Sequence, residues 1–137
     1  MSSLPVAREY GYVLGVGLAA AFVVNGWMAG RVMKVPYPAL YADSSNPNAK
    51  VFNCVQRGHQ NCLEQLPTFL VLNFIAGLRY PVPTAVAGLV WITGRIHYFL
   101  GYSTGEPAGR RRGVYNQFGM VALVGLCGSW AVELLRK

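Results

Sequence analysis

Arg57, Asn61 and Glu64 stand at i, i+4 and i+7 in a stretch that reads as a helix, so they share one face. A guanidinium, an amide and a carboxylate along one side of an apolar helix are costly to bury. They must turn inward and pair, or line a polar cavity. One reading is structural, an Arg57–Glu64 ion pair bridged by Asn61 that holds helices together. The other is a ligand site. A second set, Arg95, Tyr98 and Tyr102, stands at i, i+3 and i+7 with His97 off its face. Two phenols and a guanidinium offer donors to an anionic, peptide-like molecule. For Tyr102 an aromatic interfacial belt is the competing reading, whereas Arg95 lies deeper and calls for a partner such as Glu64. The run Arg110-Arg111-Arg112 reads on its own as a headgroup patch or a topology signal.

These groups sit in a chain of 137 residues that is 53% hydrophobic and 12% charged. A soluble domain carries about 25% charged residues, so the composition is that of a membrane protein. The length suits a single domain, 1–137. The net charge of +7 comes from 12 Lys+Arg against 5 Asp+Glu. No basic stripe is interleaved with exposed aromatics, so nucleic acid is not an expected partner. The cations gather instead at the ends of apolar segments, where lipid headgroups or an anionic small molecule would sit. Cys54, Cys62 and Cys127 lie in apolar stretches without paired spacing, which argues against a disulfide framework or a metal site. They read as small buried hydrophobes.

Four helices are expected to position the two sets, at about 11–33, 51–78, 84–102 and 114–135. The first has no charge before Arg31 and is long enough to cross a core of ~30 Å. No small-residue cleavage site and soluble domain follow it, so it reads as a retained membrane helix. Gly15, Gly17, Ala19 and Ala20 allow close packing along it, Asn25 lies in its second half, and Arg31 and Lys34 close it. A loop rich in Pro, Ser and Asn runs from Pro36-Tyr37-Pro38 to Pro47-Asn48. Arg79-Tyr80-Pro81-Val82-Pro83 reads as a tight turn, because proline breaks helices. Ser103 to Gly109 forms a further loop before the arginine run. Four spans put both termini on one side. Arg31, Lys34, Lys50, Arg57 and the arginine run then gather on the other, which the Lys/Arg bias makes cytosolic. The expected fold is all-α, an integral membrane four-helix bundle.

Phe52 to Glu64, carrying Arg57-x-x-x-Asn61-x-x-Glu64, and Gly94 to Pro107, carrying Arg95-x-x-Tyr98-x-x-x-Tyr102, together resemble the signatures of the MAPEG superfamily. The resemblance covers nearly the whole chain, with both motifs in the expected order and helices. It implies a left-handed four-helix bundle assembling as a homotrimer, with glutathione bent into a U between subunits and open to the cytosol. Carried over, Arg57, Asn61 and Glu64 hold the tripeptide: Arg57, with Arg31, meets carboxylates and Glu64 takes the amino group. His59 matches a polar position near the peptide. Arg95, Tyr98 and Tyr102 complete the glutathione-binding set. Arg110 matches the arginine that stabilises the thiolate, with Arg112 the second choice. Many members place a tyrosine just after the motif glutamate. Here Gln65 and Leu66 stand there, so Gln65 replaces one expected hydrogen bond.

The resemblance further implies a glutathione transferase and peroxidase, with leukotriene-C-synthase-like conjugation within its range. Hydrophobic epoxides and lipid hydroperoxides would enter from the bilayer. Glutathione serves as co-substrate and no metal is needed. A thiolate is the strong nucleophile that the thiol is not, and a guanidinium in a partly desolvated cleft favours the anion. Endoplasmic reticulum is the default membrane, with mitochondrial and plastid membranes as alternatives. The competing reading is non-enzymatic, a lipid-binding or scaffold subunit that keeps the fold.

Overall fold

The first apolar run forms helix α1, Tyr10–Met33, whose 24 residues are unbroken by proline. Its middle, Ala19–Val24, winds with π-type bonding and returns to α geometry at Asn25. The computed structural model describes residues 5–33 and 41–137; Lys34 and Pro36-Tyr37-Pro38 lie outside the described residues. Helix α2 follows at Ala49–Arg79, α3 at Pro81–Tyr102, a 3-10 segment at Pro107–Gly113 and α4 at Asn116–Leu135. The described residues are thus helical throughout apart from short connections. Two of these helices, Tyr10–Met33 and Asn116–Leu135, are long and apolar enough to cross a membrane. The two between them carry the polar motifs.

Only Tyr80 separates α2 from α3, so the expected turn from Arg79 to Pro83 shrinks to one residue. The prolines do not delay the helix because the first-turn amides have no intrahelical acceptor to lose. Pro81 and Pro83 therefore occupy the opening turn of α3, which Thr84 N–H closes onto Tyr80 C=O at 3.0 Å. Pro67 is accommodated inside α2, where its missing N–H leaves the Leu63 carbonyl without a helical donor.

α2 and α3 lie in the middle of the bundle, and α1 and α4 flank them. The core between them holds Phe69 stacked on Trp91 at 3.9 Å, with Met28, Phe99 and Leu123 fully enclosed. In a bilayer such side chains hold helices together by close packing and not by leaving water. At the far end, Arg79 donates twice to Glu133, at 3.0 and 3.2 Å, and Tyr80 meets Ser129 at 3.2 Å. These contacts fasten α4 to the α2–α3 corner. At the near end, Lys50 pairs with Glu106 at 2.6 Å across exposed surface.

Candidate functional site

The polar motifs meet where the first turns of α2 face the last turns of α3. Asn53, one turn before Arg57, clasps the preceding loop through its side chain. Ala42 N–H donates to Asn53 Oδ1 at 2.7 Å, and Asn53 Nδ2 donates to Ala42 C=O at 3.0 Å. The clasp holds Tyr41 at the mouth of a cleft of about 280 Å³ lined by Tyr41, Asn53, Cys54, Arg57 and Tyr102. The exposed Arg57 guanidinium faces the Tyr41 phenol there, with Glu64 and Tyr102 in electrostatic reach.

The 3-10 segment brings the arginine run to the same place. Gly105, at φ 89°, reverses the chain after α3 in a conformation that side chains disfavour. Gly101 and Gly109 then approach so closely that a Cβ on either would overlap the carbonyl of the other. This contact lays the segment flush against α3 and sets Arg110 over Tyr102, 5.7 Å from the ring centroid. Tyr102 is itself buried, with its ring 5.9 Å from that of Tyr98. It packs inside the bundle rather than in an exposed belt. Arg112 is exposed. Beyond the segment, Tyr115 bonds to His97 Nδ1 and fastens its exit to α3.

Arg95 is only 1% exposed. Its Nη2 donates to Asn61 Oδ1 at 2.7 Å, and its guanidinium lies 4.3 Å from the Tyr98 ring centroid. The expected partner, Glu64, is exposed instead. Nor is there an Arg57–Glu64 ion pair bridged by Asn61 among the described residues. Seven helical residues separate Arg57 from Glu64, a rise of about 10 Å, and Asn61 has turned to α3. The geometry therefore joins Arg57 with Tyr102 and Arg110, and joins Asn61 with Arg95 and Tyr98. Glu64 and Arg31 are both exposed.

Two expected site residues point elsewhere within this chain. His59 turns toward α1, its Nε2 3.0 Å from Asn25 Oδ1, directly after the π-wound stretch. The Gln65 amide oxygen is sealed from the surface and has no hydrogen-bond partner among the described residues. Tyr41, Asn53 and Asn25 belong to this region although the motif reading gave them no role. Asn53 was detectable, since it precedes Arg57 by four residues on the same helical face. Tyr41 carries no such signal, because a loop residue acquires its place only through the clasp.

Residues 10–132 match the MAPEG family. A stretch of 83 residues, 59% of the chain, is 39% identical to microsomal glutathione S-transferase 2 from Homo sapiens over 55% of that protein. A stretch of 92 residues, 66% of the chain, is 33% identical to leukotriene C4 synthase from Bos taurus over 57% of it. The chain thus spans a little over half the length of these curated relatives. Its helical architecture, its two helices long and apolar enough to cross a membrane and the extent of that match place it plainly: this chain belongs to the MAPEG family of integral membrane proteins.

Proposed function

We propose that this protein is a membrane-bound glutathione transferase and peroxidase acting on hydrophobic electrophiles and lipid hydroperoxides, in the branch of microsomal glutathione S-transferase 3. One observation carries the reading. Two motifs distant in the chain converge: Arg57 and Tyr102 line one cleft, Arg110 lies over the Tyr102 ring, and Asn61, one turn beyond Arg57, is bonded to Arg95. The charges suit the ligand. Glutathione has two carboxylates, an ammonium and a thiol. Arg57 and Arg110 would meet anionic groups, and Glu64 would take the ammonium. The name of one relative, microsomal glutathione S-transferase 2, points to the same co-substrate.

The size of the cleft supports a shared site. At about 280 Å³ it lies just under the ~300 Å³ at which small-molecule pockets begin. It would seat one end of a tripeptide and leave the rest along the exposed flank of α2. A second subunit would supply the missing wall, in keeping with a homotrimer. Depth is consistent as well. The 31 residues of α2 span about 46 Å against a hydrocarbon core of ~30 Å. If its Arg79 end lies at one interface, the other interface falls about 20 residues back, near His59. Arg57 would then stand in the headgroup zone, with Asn61 and Glu64 just beneath it. Soluble glutathione and a lipid electrophile could meet at that level. All four long helices would span the bilayer, with this end cytosolic, and endoplasmic reticulum is the membrane proposed.

Glutathione supplies the sulfur nucleophile. The chain's part is to hold it and favour its ionised form. Arg110, positioned by the glycine contact, favours the thiolate over the thiol. Arg57, Asn61 and Glu64 fix the peptide so that the sulfur lies at the bilayer edge of the cleft. Tyr98 and Tyr102 offer phenol donors to the peptide. The test is spectroscopic and kinetic. Glutathione added to the purified protein in mild detergent should raise the ultraviolet thiolate absorbance, and turnover of a hydrophobic epoxide or hydroperoxide should follow. Lipid binding without a thiolate signal or turnover would move the protein to the scaffold reading.

A further inference from the structure

Arg95 is a buried cation with no carboxylate beside it among the described residues. Enclosing a charge without a counter-ion is costly, so what it does hold matters. It holds Asn61 by a 2.7 Å hydrogen bond, carries Tyr98 against its face at 4.3 Å, and lies against the Cys62 thiol. A guanidinium has donors only. The amide of Asn61 therefore has one permissible orientation, with its oxygen turned to Arg95 and its NH₂ turned away. That NH₂ has no partner among the described residues, and Asn61 is half-exposed.

We propose that Arg95 is a positioning residue that makes Asn61 an obligate donor, so that the ligand must present an acceptor oxygen at that station. The face of α2 then reads donor, donor, acceptor along Arg57, Asn61 and Glu64. An unrestrained amide would accept as readily as it donates. The fixed one selects a peptide carbonyl or a carboxylate and rejects an N–H or ammonium in the same place. The inference rests on the glutathione reading, in which the acceptor is a carbonyl or carboxylate oxygen of the tripeptide. Arg95 thereby acts through Asn61 and Tyr98 without touching the ligand.

Three variants of the full chain in detergent test this. Asn61→Asp keeps an oxygen for Arg95 and gives it a counter-ion, so thermal stability should hold or rise. It offers the ligand no donor, so glutathione affinity measured by calorimetry should fall at least about tenfold. Arg95→Met removes the lock. Affinity should fall about tenfold, and the loss should appear in KM for glutathione more than in kcat. Arg95→Lys still donates to Asn61 and should restore most of the affinity. If Arg95 were only a packing element, Arg95→Met would lower thermal stability with the affinity of the folded protein unchanged. Asn61→Asp binding as tightly as wild type would likewise show that the amide donates nothing to the ligand. Those results overturn the inference and leave the glutathione reading standing. Should Arg95→Met fail to fold, the near-isosteric Asn61→Asp still decides. A wild-type chain that binds no glutathione overturns the reading and the inference together.

Discussion

Replacing Arg110 with alanine removes the cation that lies 5.7 Å from the Tyr102 ring centroid while sparing the groups proposed to hold the peptide. Two unit charges ~4 Å apart interact by about 1 kcal/mol in water-like surroundings and about 4 kcal/mol at an effective dielectric of ~20. Arg110 is exposed, so the lower half of that range applies. At about 1.4 kcal/mol per unit, the thiol pKa should be depressed by one to two units in the wild type. A free thiol near 8.5 is only about 3% ionised at pH 7, and a shift of about 1.5 units makes it half ionised. Arg110→Ala should therefore cost roughly 15-fold in turnover at pH 7 and less than about twofold at pH 9, where both thiols ionise. Initial rates at saturating glutathione from pH 6 to 9, with thiolate absorbance recorded in parallel, measure this. Glutathione affinity should change little. Arg112→Ala is the control and should behave as a surface change. An effect carried by Arg112 would move the thiolate contact two residues along the 3-10 segment. A pH-independent loss, or none in either variant, would refute the mechanism.

Asn53→Ala breaks both hydrogen bonds of the loop clasp. It should cost about 1–3 kcal/mol in thermal or denaturant unfolding and weaken glutathione binding by releasing Tyr41. Gly101→Ala places a Cβ against the Gly109 carbonyl. Overpacking of about 1–3 kcal/mol is expected, with turnover falling more than affinity because the segment carrying Arg110 is pushed away. Native mass spectrometry in mild detergent should give a trimer. A stable monomer that binds glutathione one-to-one would contradict the shared site.

Helical spacing was enough to group Arg57 with Asn61 and Glu64, and Arg95 with Tyr98 and Tyr102, because a shared face follows from 3.6 residues per turn. It says nothing about the offset between two helices. That offset decides whether Asn61 bridges its own helix or reaches across, and it reaches Arg95. The same limit applies to His59, whose partner Asn25 is set by the register of α1 after its π-wound stretch. Nothing in Ala19–Val24 announces that winding, since all six residues are ordinary apolar helix residues. At Pro81 and Pro83 the rule that proline breaks helices does not hold, because both stand in the first turn of α3. Polarity marks where the two motifs meet, since Asn61 and Arg95 are bonded there. The clasp that brings Tyr41 to it is a tertiary fact.

The central claim is that the cleft between α2, α3 and Tyr41 binds glutathione, and Arg57 is the residue on which that claim bears most directly. Titration calorimetry of the detergent-solubilised protein with glutathione, beside Arg57→Ala with the same thermal stability, is the decisive measurement. Saturable binding by the wild type that weakens at least about tenfold in the variant is the predicted result. Equal affinity in the two proteins would place glutathione elsewhere, and no binding by either would contradict the account.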